Sequence, residues 1–177
     1  MTLTDSLVKF LQNQTLLNFL ELRLQVLQCE NFSPYANYEA VADSFFIQER
    51  FQEGATALQK FLPGNMLSFG LHSLLAYAYQ KIGTIEEVQR EISLAQAVMN
   101  GLLTTGDGSE LHPYEITQIS DEYDILRYLG KSSRNQMLVR TNDQIFDKHT
   151  CEDGTEIWFD ITLPFNARFP QILNEAI

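Results

Sequence analysis

The sequence predicts an α+β protein in which N-terminal helical hairpins pack on a small, mostly antiparallel C-terminal sheet with one helix. Two observations predict this class. Up to about residue 104, apolar side chains recur every three to four positions, as they do on one face of a helix. After residue 105 they alternate with polar side chains, as in strands with one buried face. We therefore expect one compact domain over 1–177, with a helical part at 1–104 and an α+β part at 105–177.

The N-terminal part contains stretches with helical spacing that are separated by residues favouring turns. These stretches are Leu3 to Leu27, about Ala36 to Phe61, Met66 to Ile82 and Ile85 to Leu103. The first predicts one long helix or two short ones, and the second is interrupted near residues 48–52. Ser33-Pro34, Pro63-Gly64 and Gly83 lie between the stretches and end them.

A repeat with an offset of 34 residues relates two of these stretches, for example Ala42 to Ala76. In the second copy, Ala76, Tyr79, Gly83 and Ala95 stand where tetratricopeptide repeats place a small residue, an aromatic residue, a turn glycine and another small residue. Residues 40–104 thus resemble tetratricopeptide-like helical hairpins. The resemblance implies two antiparallel helix pairs.

The C-terminal part alternates between strand and helix patterns. Strand candidates are a short one near Tyr114, then Met137 to Arg140, Ile145 to His149 and Glu156 to Leu163. A helix from Asp121 to Leu129 is closed by Gly130, and Asp153-Gly154 predicts a hairpin turn. In the last strand, Ile157, Phe159 and Ile161 share a face, so we expect them to be buried beneath a helical layer.

Charge and composition exclude several classes of function. The chain has 12 Lys and Arg against 23 Asp and Glu, a net charge of −11, and thirteen of the acidic residues fall in 105–177. Such a surface repels nucleic acid and anionic lipid, and no apolar stretch is long enough to span a bilayer. The charge suits a basic protein partner. The first residues lack a secretory pattern, and two isolated cysteines fit a reducing compartment, which predicts a cytoplasmic protein.

The sequence contains no phosphate loop, dinucleotide turn or nucleophile elbow, so we expect no cofactor and assign no catalytic residue. His149 and Cys151, with Asp153 nearby, have ligand chemistry, but no second pair completes a tetrahedral metal site. The Gly106-Asp107-Gly108 segment predicts a turn in which the glycines adopt positive φ and Asp107 accepts from a backbone N–H two residues on.

The acidic cluster at 121–124 has two interpretations. Paired carboxylates can divide acid and base roles, whereas Ser120 or Asp121 can cap the helix that Gly130 ends.

Several segments resemble an uncharacterised bacterial family of unknown function, best represented in Bacteroidetes. They are Tyr35-Ala36-Asn37-Tyr38, Gly106-Asp107-Gly108, Asp121-Glu122-Tyr123-Asp124-Ile125-Leu126, Leu129-Gly130 and Ile157-Trp158-Phe159-Asp160-Ile161. The resemblance covers roughly residues 30–162. It implies a helical N-terminal part followed by a C-terminal Gly-Asp-Gly and Asp-Glu-Tyr signature. It transfers no activity and no catalytic residue.

These observations favour a protein-interaction module, in a concrete form an acidic inhibitor or immunity-type protein that binds a basic partner. The residues assigned to partner binding are Tyr35, Tyr38, Glu110, Glu115, Asp121, Glu122 and Asp124. Structural turn or cap roles are assigned to Gly106, Asp107, Gly108 and Gly130. The alternative function is a hydrolase-like enzyme that uses the acidic cluster at 121–124 with a histidine.

Overall fold

The computed structural model describes residues 2–141 and 143–168. The chain forms two compact units, Met1–Gly101 and Leu102–Ile177. Within the described residues there are eight helices and four strands, with most helices in the first unit and all of those strands in the second. This confirms the α+β class. No helix of this part of the chain combines the length and apolar character needed to cross a bilayer.

The first stretch forms two helices, α1 (Leu3–Gln12) and α2 (Leu16–Val26). Thr2 starts α1 with a capping box, because its hydroxyl accepts from the Asp5 N–H while the Asp5 carboxylate accepts from the Thr2 N–H. The two helices share a buried aromatic contact, since the rings of Phe10 and Phe19 lie 5.6 Å apart.

Residues 40–104 contain no strand and lie on four helices with the connections between them, as their spacing predicts. These helices are α3 (Tyr38–Phe46), α4 (Phe51–Gln59), α5 (Phe69–Ile82) and α6 (Ile85–Leu103). Gly83 ends α5 with φ of 89°, a left-handed conformation that glycine adopts without steric cost. The core between these helices includes Tyr38, Ala42, Leu58, Leu71, Leu75 and Tyr79. Small residues such as Ala42 allow the helices to approach closely.

A buried polar pair joins α5 to α6. His72 Nδ1 lies 2.6 Å from Glu91 Oε2, and His72 Nε2 lies 2.8 Å from the Met66 carbonyl oxygen. Burial acts to raise the pKa of Glu91, but the hydrogen bonds from His72 and Arg90 outweigh burial and lower the pKa below its ordinary value. Both nitrogens of His72 therefore face oxygen atoms inside the helical unit.

The second unit contains a four-stranded sheet in the order β1-β4-β3-β2. The strands are β1 (Tyr114–Glu115), β2 (Ser133–Arg140), β3 (Ile145–Cys151) and β4 (Glu156–Asp160). β1 pairs in parallel with β4, and the two other pairings are antiparallel. Helix α7 (Ser120–Tyr128) precedes β2, and α8 (Thr162–Arg168) follows β4.

The last strand is shorter than its alternating pattern predicts. β4 ends at Asp160, and Leu163 lies in α8 rather than in the strand. The Asp160 carboxylate accepts a hydrogen bond of 2.9 Å from the Thr162 N–H, which starts the helix. Pro164 fits within α8 because a proline in the first turn of a helix leaves no required donor missing.

The predicted buried face of β4 is confirmed. Ile157, Phe159 and Ile161 are 5%, 0% and 3% exposed. The ring of Phe159 lies 5.3 Å from the ring of His149 on β3. Helix α7 supplies the helical layer, since its buried Glu122 lies 2.7 Å from Nε2 of the same His149.

Phe159→Ala should lower the free energy of unfolding by about 3–5 kcal/mol, because it leaves a cavity beneath α7. Leu111→Ala is the matched control, since Leu111 is 85% exposed, and it should change stability by less than about 0.5 kcal/mol. Urea denaturation followed by circular dichroism measures both. Equal denaturation midpoints for the two variants would contradict the burial of Phe159.

Candidate functional site

The two tyrosines assigned to partner binding lie in different environments. Tyr35 is 38% exposed, in the connection before α3, whereas Tyr38 is 4% exposed. The ring of Tyr38 meets that of Phe61 edge to face, with centroids 5.1 Å apart. Tyr38 is thus a core residue of the helical unit, because its ring fills space beside Phe61, and only Tyr35 presents much surface.

The acidic residues assigned to the same role are divided as well. Glu110 is exposed and Glu115 is half-buried. Asp121, Glu122 and Asp124 are 0%, 0% and 5% exposed. The expectation that these three side chains form an exposed acidic face is therefore wrong. Helix α7 directs them inward, whereas Tyr123 and Tyr128 are exposed. Their role in partner binding stays a prediction.

Asp121 holds the chain segment that leads into α7. Its Oδ2 accepts hydrogen bonds of 2.9 Å from the N–H groups of Thr117 and Gln118. The predicted capping role is corrected, since Ile119 occupies the N-cap and makes no side-chain cap. Burial raises the pKa of Asp121 to about 8, although the two backbone hydrogen bonds act to lower it. The carboxyl group is thus mostly neutral at pH 7.

Asp124 faces a charged partner on its own helix. Arg127 Nη1 lies 2.9 Å from Asp124 Oδ1, with the arginine side chain largely exposed and the carboxylate buried. A guanidinium at the surface can remain hydrated while it compensates a buried carboxylate. The ion pair therefore compensates the charge of one carboxylate of the acidic cluster, that of Asp124, within α7.

Glu122 connects α7 to the sheet through His149. Glu122 Oε2 lies 2.7 Å from His149 Nε2, and both side chains are fully buried. The other ring nitrogen, Nδ1, lies 2.8 Å from the hydroxyl of Ser133 on β2. Ser133 itself is exposed. A surface serine, a buried imidazole and a buried carboxyl group thus form one hydrogen-bonded series.

The series continues from Glu122 through Asp147. The Asp147 carboxyl group lies beside Glu122, and burial together with Asp147 raises the pKa of Glu122 to about 7. Gln136 donates a 2.7 Å hydrogen bond to Asp147 and accepts one of 3.0 Å from the hydroxyl of Tyr123. Glu122 Oε1 is buried and has no hydrogen-bond partner among the described residues.

The predicted turn and cap residues act as expected, with one correction. Gly130 has φ of 66°, and the Lys131 N–H bonds the Leu126 carbonyl at 2.8 Å, which closes α7 in a Schellman motif. The Asp107 carboxylate accepts from the Ser109 N–H at 2.9 Å. Gly108 has φ of 77°, but Gly106 is not among the glycines with positive φ.

Gly106 is required for a different reason. A Cβ atom at this position would lie 2.2 Å from the Pro113 carbonyl oxygen. The glycine therefore permits close approach of two backbone segments rather than a left-handed conformation.

The sequence gives little indication of the Ser133, His149 and Glu122 arrangement. Twenty-seven positions separate Glu122 from His149, and sixteen separate Ser133 from His149, with no motif around any of them. The alternating pattern of β3 indicates only that His149 shares a face with Asp147. No group of three or more metal-ligating side chains occurs among residues 2–141 and 143–168.

Gly106→Ala should destabilise the chain more than Gly130→Ala does. Alanine at 130 meets open space and costs only the left-handed conformation, about 1–2 kcal/mol. Alanine at 106 must displace the backbone of Pro113. Urea denaturation of both variants checks this order, and an equal loss of stability would refute the close-approach role of Gly106.

Asp121→Asn should reduce the amount by which the free energy of unfolding falls as the pH rises. The carboxyl keeps its proton to about pH 8 in the folded chain but has an ordinary pKa of 3.8. The folded chain therefore binds more protons between these values, and the free energy of unfolding falls as pH rises through that range. Asparagine keeps an oxygen acceptor for both N–H groups and has no proton to lose.

Urea titrations at pH 5 and pH 8 measure the effect, which should be a relative stabilisation of the variant at pH 8 on the order of a few kcal/mol. Glu152→Gln removes an exposed carboxylate and serves as the control. If Asp121→Asn and the wild-type chain lose the same stability between the two pH values, the buried neutral state of Asp121 is wrong.

Comparison with known proteins gives a family but no activity. No curated protein and no solved structure matches the chain. The family model described as a domain of unknown function, DUF4919, matches residues 7–168. The match spans most of the chain and includes residues of α1 at one end and of α8 at the other, which confirms the expected membership of an uncharacterised family. The chain therefore belongs to the DUF4919 family.

Proposed function

We propose that this chain is a protein-interaction module that binds an extended acidic segment of a partner along the open edge of β2. The observation that carries the proposal is the position of this strand. β2 stands at the end of the sheet order, and no other strand of the described residues pairs with its outer edge. Seven of its eight residues are exposed, and Val139 is half-buried.

The hydrogen-bond pattern identifies which backbone groups face outward. The Thr141 N–H donates to the Gln144 carbonyl at 3.0 Å, so these two residues form a hydrogen-bonded pair. The Ile145 carbonyl accepts from the Ile161 N–H at 2.9 Å, so it faces away from Arg140, its partner on β2. Because antiparallel partners alternate between bonded and non-bonded pairs, Val139 and Met137 bond to β3. The N–H and C=O groups of Gln136, Leu138 and Arg140 consequently point away from β3. An added strand would find donors and acceptors at every second residue.

The side chains of β2 favour an acidic partner over a second copy of this chain. Arg134 and Arg140 stand near its two ends, and the strand contains no acidic residue. Met137 and Leu138 lie between them and are 49% and 47% exposed. Antiparallel self-pairing centred on Met137 would place Arg134 opposite Arg140 of the other copy, and like charges in this position are destabilising. A segment with carboxylates near both ends and apolar residues between them complements this edge.

The basic-partner hypothesis has less support from the surface of the second unit. Twelve acidic residues lie in the described part of 105–168, and four of them are buried, namely Asp121, Glu122, Asp124 and Asp147. Buried carboxylates that are protonated or paired contribute little to the long-range field that steers a partner. We place the interaction in the cytoplasm, which both free thiols, Cys29 and Cys151, support.

Leu138→Pro should abolish binding of an extended peptide without unfolding the sheet. The probe is a synthetic peptide of the length of β2 with glutamates near both ends and valines between them, and its Kd is measured by fluorescence anisotropy. Proline at 138 removes an outward N–H and leaves the ladder with β3 complete. Leu138→Thr, which keeps the N–H, is the matched control and should retain binding.

Charge is tested with a second peptide in which lysine replaces glutamate. The acidic peptide should bind more tightly, and added salt should weaken its binding because surface charges are screened. Equal affinity of Leu138→Pro and Leu138→Thr for the acidic peptide, or tighter binding of the basic one, would contradict the proposed edge interaction.

A further inference from the structure

The exposed end of the Ser133, His149 and Glu122 series has the geometry of an activated nucleophile. The Ser133 hydroxyl lies 2.8 Å from His149 Nδ1, and His149 Nε2 lies 2.7 Å from Glu122 Oε2. His149 and Glu122 are fully buried, whereas Ser133 is exposed. Only the group that would attack a substrate therefore reaches solvent. The two groups that would move or balance its proton are excluded from water.

The contacts determine which nitrogen of His149 is free to accept a proton. A carboxylate oxygen accepts, so Glu122 Oε2 receives the Nε2–H of the ring. In its ionised form Glu122 has only acceptor oxygens, and Oε2 is the one that meets His149 Nε2. The lone pair of His149 is thereby left on Nδ1, opposite the Ser133 hydroxyl. Either imidazole nitrogen can act as the base when the other is held as a donor.

A distortion of β2 occurs at Ser133. The pairing register shifts between Ser133 and Asn135, so that Ser133 pairs with Cys151 while Asn135 pairs with Thr150. A bulge of this kind redirects a side chain relative to the regular strand and is typical of sheet edges and active sites. The second contact of the Ser133 hydroxyl, to the Asn135 carbonyl, is longer at 3.3 Å. The bulge thus brings this serine within reach of a buried imidazole.

We propose that Ser133 is a nucleophile for carboxylic esters, with His149 as its general base and Glu122 as a positioning residue. This activity is additional to peptide binding at β2 and does not depend on it. The series supplies the carboxyl group and histidine of the hydrolase-like alternative, together with the serine hydroxyl of Ser133. Esters are the expected substrate class, because an ester carbonyl is more electrophilic than an amide and its alkoxide leaves more readily than an amine.

The reaction proceeds in two steps, acylation of Ser133 and hydrolysis of the acyl group. Ser133 Oγ bonds to the ester carbonyl carbon as its proton moves to His149 Nδ1. The imidazolium then returns this proton to the alkoxide oxygen as the bond between carbon and that oxygen breaks, leaving an acyl group on Ser133. Water, deprotonated by His149, attacks the acyl carbon, and the proton returns to Ser133 Oγ as the carboxylic acid leaves.

A fluorophosphonate probe tests the nucleophile directly. Attack forms a bond between Ser133 Oγ and phosphorus, fluoride leaves, and His149 accepts the hydroxyl proton. Intact-protein mass spectrometry should show one added phosphonyl group, and peptide mapping should place it on Ser133. Ser133→Ala should abolish labelling, and Ser132→Ala should retain it, because Ser132 is an exposed neighbouring serine while both nitrogens of His149 are already engaged.

Glu122→Gln separates a chemical role from a structural one. Glutamine keeps an oxygen for the His149 Nε2–H but cannot supply negative charge, so the labelling rate should fall at least about tenfold. Circular dichroism confirms that the variant is folded at the temperature of labelling. The release of nitrophenolate from p-nitrophenyl acetate should fall in the same order across the variants.

Three results would overturn the proposal. They are no label on the folded wild-type chain, a label distributed equally over Ser132 and Ser133, and a labelling rate unchanged in folded Glu122→Gln. Peptide affinity at β2 is measured separately, so failure of this proposal and failure of the proposed interaction can be distinguished.

Discussion

The hydrogen bond between Glu122 and His149 is the interaction on which the second unit depends. A buried carboxyl group without a partner costs several kcal/mol, and so does a buried imidazole. At 2.7 Å these two groups satisfy each other across the boundary between α7 and β3. The contact also determines which face of α7 turns inward, because a rotation that exposed Glu122 would leave His149 buried without its acceptor.

The helical unit contains a comparable pair. His72 and Glu91 are 2% and 3% exposed and join α5 to α6 at 2.6 Å. The two pairs differ in what surrounds the carboxyl group. Arg90 places a guanidinium beside Glu91 and contributes to the lowered pKa of that group, whereas Asp147 adds a second acid beside Glu122 and contributes to its raised pKa. The pKa values of the two buried carboxyl groups are therefore shifted in opposite directions.

This difference explains why the chemistry is expected in the second unit. There the carboxyl group, the imidazole and the Ser133 hydroxyl form a series that reaches solvent at a strand edge. The same strand has outward N–H and C=O groups at every second position. β2 therefore combines two properties that most edge strands suppress, an open backbone and a reactive neighbour. The short β1 leaves the opposite side of the sheet without an edge of similar length.

The amino-acid sequence alone determined the elements that depend on local periodicity. The helical spacing of residues 85–103 predicts α6 with its observed bounds, and the alternation of Ile157, Phe159 and Ile161 predicts their burial. The end of α7 was also predictable, because Gly130 adopts the left-handed conformation that few other residues accept. In each case the information lies within about one turn of helix or one strand.

Only the tertiary structure decided whether the carboxyl groups of the acidic cluster at 121–124 are exposed or buried. Composition suggests that carboxylates are solvated, so Asp121, Glu122 and Asp124 were assigned to a surface. Their burial depends on partners elsewhere in the chain, namely backbone N–H groups for Asp121 and His149 for Glu122. No local pattern specifies these partners, because the contact between Glu122 and His149 arises only when α7 packs on β3. Ser133 gained its position for the same reason, since strand pairing and a bulge brought it to that imidazole.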